Sequence, residues 1–320
     1  MEYVIYEREK FEVINNHLDL AAQGITSINE IDGLENLSEL KSLDMSYNEI
    51  KYIERLENLP NLEYLDLSSN QISEIRNISH LSELKRLYLN NNSLRKIEGI
   101  DNLKELDILE LNGNNLRVIS NIDNLKKLDV LKLGMNRIYE INGLKNLTTL
   151  TKFHLDHNEI KKLENLDTLN NLKVFDLNDN EIAKIENIEE LYRLEALILS
   201  SNQITEMDGL KEQFKLMLLN LANNEISKIR GLEECTDLRI LNLSKNHIRE
   251  IASGDLSNQK ELVNLNLSSN RISNIEGIRG LKNLRIINLR NNKIQNFEVL
   301  KTLPNLETAY LKNNEAILED

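Results

Sequence analysis

Apolar and polar positions along this chain follow one repeating order. Two alternating apolar residues are followed by a polar gap, an asparagine, and two more apolar positions, as in Leu65, Leu67, Asn70, Ile72 and Ile75. Period-two alternation over so few residues marks a short strand with one buried face. The phrase L-x-L-x-x-N-x-I recurs with its asparagine at Asn48, Asn70, Asn92, Asn114, Asn136, Asn158, Asn180, Asn202, Asn224, Asn246, Asn270, Asn292 and Asn314. Neighbouring asparagines are 22 residues apart, except for 24 between Asn246 and Asn270. A degenerate first copy, LDLAAQGI, puts Gln23 in the same slot and makes fourteen units. Regular repetition at this period signals stacked coils, each covering the next.

The asparagine has a physical reason. An inward amide offers two donors and an acceptor, which pair with backbone groups exposed where the chain leaves the strand. After the second apolar ladder comes Asn or Gly: Asn77, Gly99, Asn121, Gly143, Asn165, Asn187, Gly209, Gly231 and Gly277. Both types tolerate positive φ, so a tight turn is expected there. About ten residues remain for each return path, too few for long helices. The expected fold is an α/β solenoid: a right-handed curved array of about 14 units with a continuous parallel concave sheet and a convex side of short 3-10 or extended turns.

These repeats, with Ile97-Glu98-Gly99-Ile100 and Ile185-Glu186-Asn187-Ile188 as examples, resemble the leucine-rich repeats of the protein phosphatase-1 regulatory subunit of this class. Bacterial internalins have similar repeats. The resemblance spans residues 18 to about 317. It speaks for the scaffold more than for function, because the shared residues are those that build the coil.

Residues 1–17 lie outside the repeat and are expected to cap it, with Phe11, Ile14 and Leu18 on one side of a short helix or turn. Residues 18–320 are expected to form a single solenoid domain without a clear C-terminal cap. At that end Ala316 replaces an expected Ile. The last coil then frays, packs on another molecule, or marks a truncation. The protein is expected to be monomeric, with end-to-end association through that terminus as the alternative. The two extra residues at Ala252-Ser253-Gly254-Asp255 read as a tolerated convex loop, or as a docking point. Cys235 falls on a leucine ladder position and reads as a buried packing residue.

Composition narrows the function. A formal charge of −13 argues against a nucleic-acid partner. Residues 260–312 are the locally basic exception. One cysteine allows no intrachain disulfide, and neither a signal peptide nor a stretch long enough for a membrane helix is evident. A cytoplasmic location is expected, with a nuclear one as the alternative in a eukaryote. No phosphate-binding glycine loop, zinc-helix motif or nucleophile elbow occurs, so no enzymatic activity and no cofactor are expected. His154, Asp156 and Asp176 form the one metal-like trio. It reads as a solvated polar patch, and no metal site is assigned.

Two outward columns of the strands decide what binds. The central one opens acidic and aromatic with Asp66, Tyr88 and Glu110, continues through Lys132, His154, Asp176 and Ile198 to Asn220, Asn242, Asn266 and Asn288, and ends at Tyr310. The column two residues earlier contains Tyr64, Ile108, Val130, Val174, Ala196, Leu218 and Ile240. Exposed apolar strips rimmed by polar residues mark binding sites. The competing reading is that this earlier column is half covered by the neighbouring coil. The asparagine run reads either as an amide ladder along the sheet or as a polar landing surface. The expected function is therefore a protein-interaction scaffold whose concave face holds a protein partner. Anchors are expected at Tyr64, Asp66, Tyr88, Glu110, Lys132, His154, Val174, Asp176, Ile198, Leu218, Ile240 and Tyr310. The phosphatase-regulator resemblance implies partner contacts through acids and aromatics such as Asp66, Tyr88, Glu110 and Tyr310. Lys132, Ile198, Asn220 and Asn242 depart from that pattern. An unrelated cytoskeletal or signalling adaptor and an internalin-like surface adhesin are the alternatives.

Overall fold

Each coil opens with a strand of three residues, because three is all the alternation provides before the chain turns out at the asparagine. In Tyr64–Asp66 the middle residue, Leu65, is fully buried while its two neighbours stay partly exposed. The computed structural model describes residues 2–315 and divides into two units, residues 1–158 and 159–320.

The first unit begins with an antiparallel hairpin of β1 (Tyr3–Tyr6) and β2 (Glu9–Glu12). Its parallel strands are β3 (His17–Asp19), β4 (Ser42–Asp44), β5 (Tyr64–Asp66), β6 (Arg86–Tyr88), β7 (Ile108–Glu110), β8 (Val130–Lys132) and β9 (Lys152–His154). Each pairs in register with the next, so Asp44, Asp66, Tyr88, Glu110, Lys132 and His154 form one column.

The second unit carries β10 (Val174–Asp176), β11 (Ala196–Ile198), β12 (Leu218–Asn220), β13 (Ile240–Asn242), β14 (Asn264–Asn266), β15 (Ile286–Asn288) and β16 (Thr308–Tyr310), again parallel and in register. Return paths in both units are extended chain and turns. Short 3-10 segments occur at Ile28–Glu30, Leu34–Asn36, Asp208–Leu210, Glu276–Ile278 and Glu298–Thr302.

The asparagine ladder tethers adjacent coils. The Asn136 amide donates to the carbonyls of Leu133 and Gly134 in its own turn and of Leu111 in the preceding coil, at 3.0–3.1 Å. Its oxygen accepts from the Leu116 amide at 3.0 Å. Just before each of these asparagines the backbone enters the left-handed region, from Tyr47 (φ 56°) to Asn313 (φ 61°). Repetition of the phrase does not reveal this bend, because residues as different as Tyr47, Gly113 and Met135 adopt it.

Two expectations need correction, and one of two alternatives is excluded. The N-terminal segment is a hairpin, not a helix. Val4 and Tyr6 are its buried residues, while Ile14 is 64% exposed. Ile5 exchanges two 2.9 Å backbone hydrogen bonds with Asp32, which ties the hairpin to the first coil.

The turn glycines do not all serve positive φ. Gly99, Gly143 and Gly231 do, but Gly209 and Gly277 lie within 3-10 segments and have no positive φ. A Cβ at Gly209 would collide with the Ile185 carbonyl, and one at Gly277 with the Ala252 carbonyl. Close approach between coils demands glycine there. Asparagine at the equivalent slot uses the same carbonyl differently: Asn77, Asn121 and Asn187 donate to the carbonyls of Ile53, Ile97 and Leu163 at 2.7–2.8 Å.

The run Asn220, Asn242, Asn266 and Asn288 is not an amide ladder. Each oxygen accepts the backbone N–H two residues ahead, just past the end of its own strand, at 3.1–3.2 Å. Asp19, Asp44, Asp66 and Asp176 make the same bond at 2.8–3.0 Å.

Cys235 is fully buried, with its thiol against the Leu210 carbonyl. Gln213 and Gln259 occupy the same ladder slot in neighbouring coils and donate to the carbonyls of Ile188 and Leu232. At the end of the chain Ala309 is exposed where interior strands bury a larger residue. The expectation placed on Ala316 lies outside the described residues.

Candidate functional site

In the first unit the strand face gathers the predicted aromatic and acidic residues. Tyr64 and Tyr88 stand on adjacent strands with ring centroids 5.2 Å apart. The Tyr64 hydroxyl donates to Asp66 at 3.3 Å. Burial, then the Asp66 and Asp44 charges, pushes the Tyr64 phenol above its ordinary range, so it stays a neutral donor. Burial also raises Tyr88, with the Glu110 charge adding to it. The Asp66 carboxyl is raised as well, mainly by burial, against the opposing hydrogen bond from the Ser68 amide.

Glu110 and Lys132 are brought together rather than left facing outward independently. Their ion pair measures 2.7 Å, and Glu110 also accepts from the Asn90 amide at 3.0 Å. The Asn90 oxygen accepts from the Asn112 backbone, and the Asn112 oxygen from the Gly134 backbone. This third column, two residues beyond the central one, is absent from the sequence-based prediction. Its signal is available in retrospect as repeated small or amide residues at Ser68, Asn90, Asn112 and Gly134.

His154 lies on β9, the last strand of the first unit, with Asp156 just beyond it. Asp176 lies on β10, the first strand of the second unit. The Asp156 carboxylate sits where a Cβ on Gly134 would collide with it, and accepts from or pairs with His157 at 3.1 Å.

In the second unit Val174, Ala196, Leu218 and Ile240 are direct register partners across four strands. Ile198 is beside them in the central column, between Asp176 and Asn220. Coverage by neighbouring coils explains Val130, which is 9% exposed, but not Ile240, at 42%. Tyr310, 40% exposed, receives the Arg290 guanidinium over its ring at 4.6 Å. Beyond the strands, Phe214 and Met217 are further exposed apolar residues that the sequence pattern did not single out.

The predicted residues thus divide between the two units. Tyr64, Asp66, Tyr88, Glu110, Lys132 and His154 are in the first, and Val174, Asp176, Ile198, Leu218, Ile240 and Tyr310 in the second. Among the described residues no helix is long and apolar enough to cross a membrane.

Family models described as Leucine Rich repeats (2 copies) match residues 38–80, 170–212 and 260–302, and one described as Leucine Rich repeat matches residues 234–249. No curated protein matches the sequence. Among solved structures, the internalin InlF of Listeria monocytogenes is 30% identical, with 92% of this chain and 86% of that chain covered and a TM-score of 0.83. A leucine-rich-repeat protein of Leptospira interrogans is 27% identical, covering 93% of this chain and 84% of that one, with a TM-score of 0.87. The leucine-rich-repeat ectodomain of the Arabidopsis thaliana receptor kinase GASSHO1/SCHENGEN3, solved with CASPARIAN STRIP INTEGRITY FACTOR 2, is 25% identical. That likeness covers 89% of this chain and 40% of the receptor chain, with a TM-score of 0.66.

Proposed function

Because this chain belongs to the leucine-rich-repeat family, we propose that it is a non-enzymatic scaffold holding a protein partner on its strand face, the face expected to be concave. The observation that carries this reading is the apolar column Val174, Ala196, Leu218 and Ile240, aligned in register and ending in an Ile that is 42% exposed. A solvated strand face gains nothing from apolar residues where Thr or Ser would fold as well, so a covering partner is their best explanation. The Tyr64, Asp66 and Tyr88 group is a second anchor of a different kind: rings supply area and the carboxylate sets orientation. The receptor ectodomain solved with its bound factor supports protein or peptide binding by such folds.

Within this reading a phosphatase-1-type catalytic subunit is the specific partner suggested by Asp66, Tyr88, Glu110 and Tyr310. The pairing of Glu110 with Lys132 leaves Asp66 as the stronger acid contact. A cytoplasmic location completes this reading. The likeness to a Listeria internalin favours a second one, binding at a cell surface.

Capture of partners by the parent chain, compared quantitatively with Tyr64→Ala/Tyr88→Ala and Ile198→Ser/Leu218→Ser, tests the proposal. A protein retained by the parent and lost from at least one folded double variant supports it. Equal retention by all three overturns it. Fractionation of the native cells separates the two locations.

A further inference from the structure

The first unit carries a row of basic residues away from the strand face, on the flank that follows the ladder asparagines. Arg95 and Arg117 occupy the same slot of successive coils, three residues after Asn92 and Asn114. Lys96 and Arg137 stand beside them. All four are exposed. Together with Asn115 and Val118 they line an open groove of about 660 Å³. Among the described residues none of the four is ion-paired. Elsewhere in this unit Arg55, Arg76, Lys41, Lys85, Lys127 and Lys132 each lie against a carboxylate. Among the described residues Lys51, Lys104 and Lys126 are unpaired too, and Glu74 and Glu98 line the adjoining pocket with Arg95 and Lys96. Arg95, Lys96, Arg117 and Arg137 nonetheless share one groove without an ion pair, which folding of a chain of net charge −13 does not require.

We propose that this groove binds a short acidic peptide segment, at a site distinct from the strand face. Three arguments select that ligand. Guanidinium groups present planar forks that match carboxylates in bidentate geometry, which favours arginine for anion recognition. Parallel coils repeat every ~4.8 Å, within side-chain reach of the ~6.8 Å between alternate carboxylates of an extended chain. The groove also offers apolar surface for a peptide's stems at Val118. A nucleic acid fits less well, because the row covers only three coils and the remaining charge of the chain repels a long polyanion.

Fluorescence anisotropy with a labelled hexaglutamate peptide tests the site, with a thymidine oligonucleotide of equal charge and inorganic phosphate as competitors. The parent chain binds the peptide, and Arg95→Gln/Arg117→Gln weakens binding by roughly tenfold or more, as expected when two facing charges are removed. The Tyr64→Ala/Tyr88→Ala variant binds the peptide like the parent, which separates this site from the strand face. Affinity falls as salt is raised. Thermal melts establish that each variant is folded. If the arginine pair fails that check, Lys96→Gln/Arg137→Gln replaces it. No peptide binding by the parent, equal binding by the folded groove variant, or tighter binding of the oligonucleotide or phosphate overturns the proposal.

Discussion

The rings of Tyr64 and Tyr88 meet across two adjacent strands at 5.2 Å and a tilt of 44°. The Tyr64 hydroxyl is held on Asp66, two residues along the same strand. The contact locks two large side chains into one platform before any partner arrives, which lowers the ordering cost of binding. It also encloses Asp66, whose carboxyl is raised by burial and by the neighbouring Asp44 charge.

That burial makes Asp66 costly to the fold at neutral pH. A carboxyl raised above its unfolded value stabilises the fold fully below that unfolded value, and the contribution is lost as pH rises through the folded one. Asn accepts an amide N–H at the equivalent position in Asn242. Asp66→Asn is therefore expected to raise the denaturation midpoint at pH 7 and to give no gain below about pH 4, the ordinary aspartate value. Urea titrations at the two pH values check this. A loss of stability at pH 7 contradicts it.

Asn136→Leu removes an amide that serves three carbonyls and one backbone N–H. Leaving those groups unpaired costs on the order of 1–3 kcal/mol. The shift in the chemical denaturation midpoint measures it, and an unchanged midpoint rules out a structural role for the ladder.

The two kinds of turn glycine respond differently to asparagine. Gly99→Asn is expected to cost less than Gly209→Asn, because Asn77 and Asn121 already serve the same slot at positive φ. A Cβ there would lie 2.8 Å from the Ile75 carbonyl oxygen, against 1.8 Å from that of Ile185 at Gly209. Gly209→Asn forces a Cβ into the Ile185 carbonyl and is expected to cost about 1–3 kcal/mol. Paired thermal melts compare them. Equal effects would mean that close approach is not what requires Gly209.

Much of this fold is legible in the residues. The asparagines read correctly because one physical need, satisfying a strand end, recurs in every coil. The hairpin did not read, because its turn residues Glu7 and Arg8 adopt φ of 46° and 72° without glycine or asparagine to announce it. Gly209 was misread because the letter cannot distinguish positive φ from close approach. On the candidate face, in-register columns could be assembled from spacing alone. Spacing could not show that Lys132 pairs with Glu110, or that Asn242 bonds the backbone of its own turn, since side-chain rotamers decide both.

Cys235 reports on the integrity of the second unit. Burial, with Glu233 and Glu234 adding to it, pushes its thiol up to about 12, so it stays protonated across the neutral range. The thiol is expected to resist alkylation at pH 8 until the chain unfolds. Labelling followed by mass spectrometry across a urea series should track the unfolding transition. Rapid labelling of folded protein contradicts its burial.

The claim that a partner covers the strand face is tested most directly by hydroxyl-radical footprinting of the chain alone and with its captured partner. Tyr64, Tyr88, Ile198, Leu218 and Ile240 lie on the strands, whereas Tyr52, Tyr139 and Tyr192, 45–66% exposed, lie off them. The account predicts that oxidation falls at Tyr64 and Tyr88, or at Ile198, Leu218 and Ile240, while Tyr52, Tyr139 and Tyr192 stay as reactive as in the free chain. Protection confined to Tyr52, Tyr139 and Tyr192, with the strand residues unchanged, would contradict it.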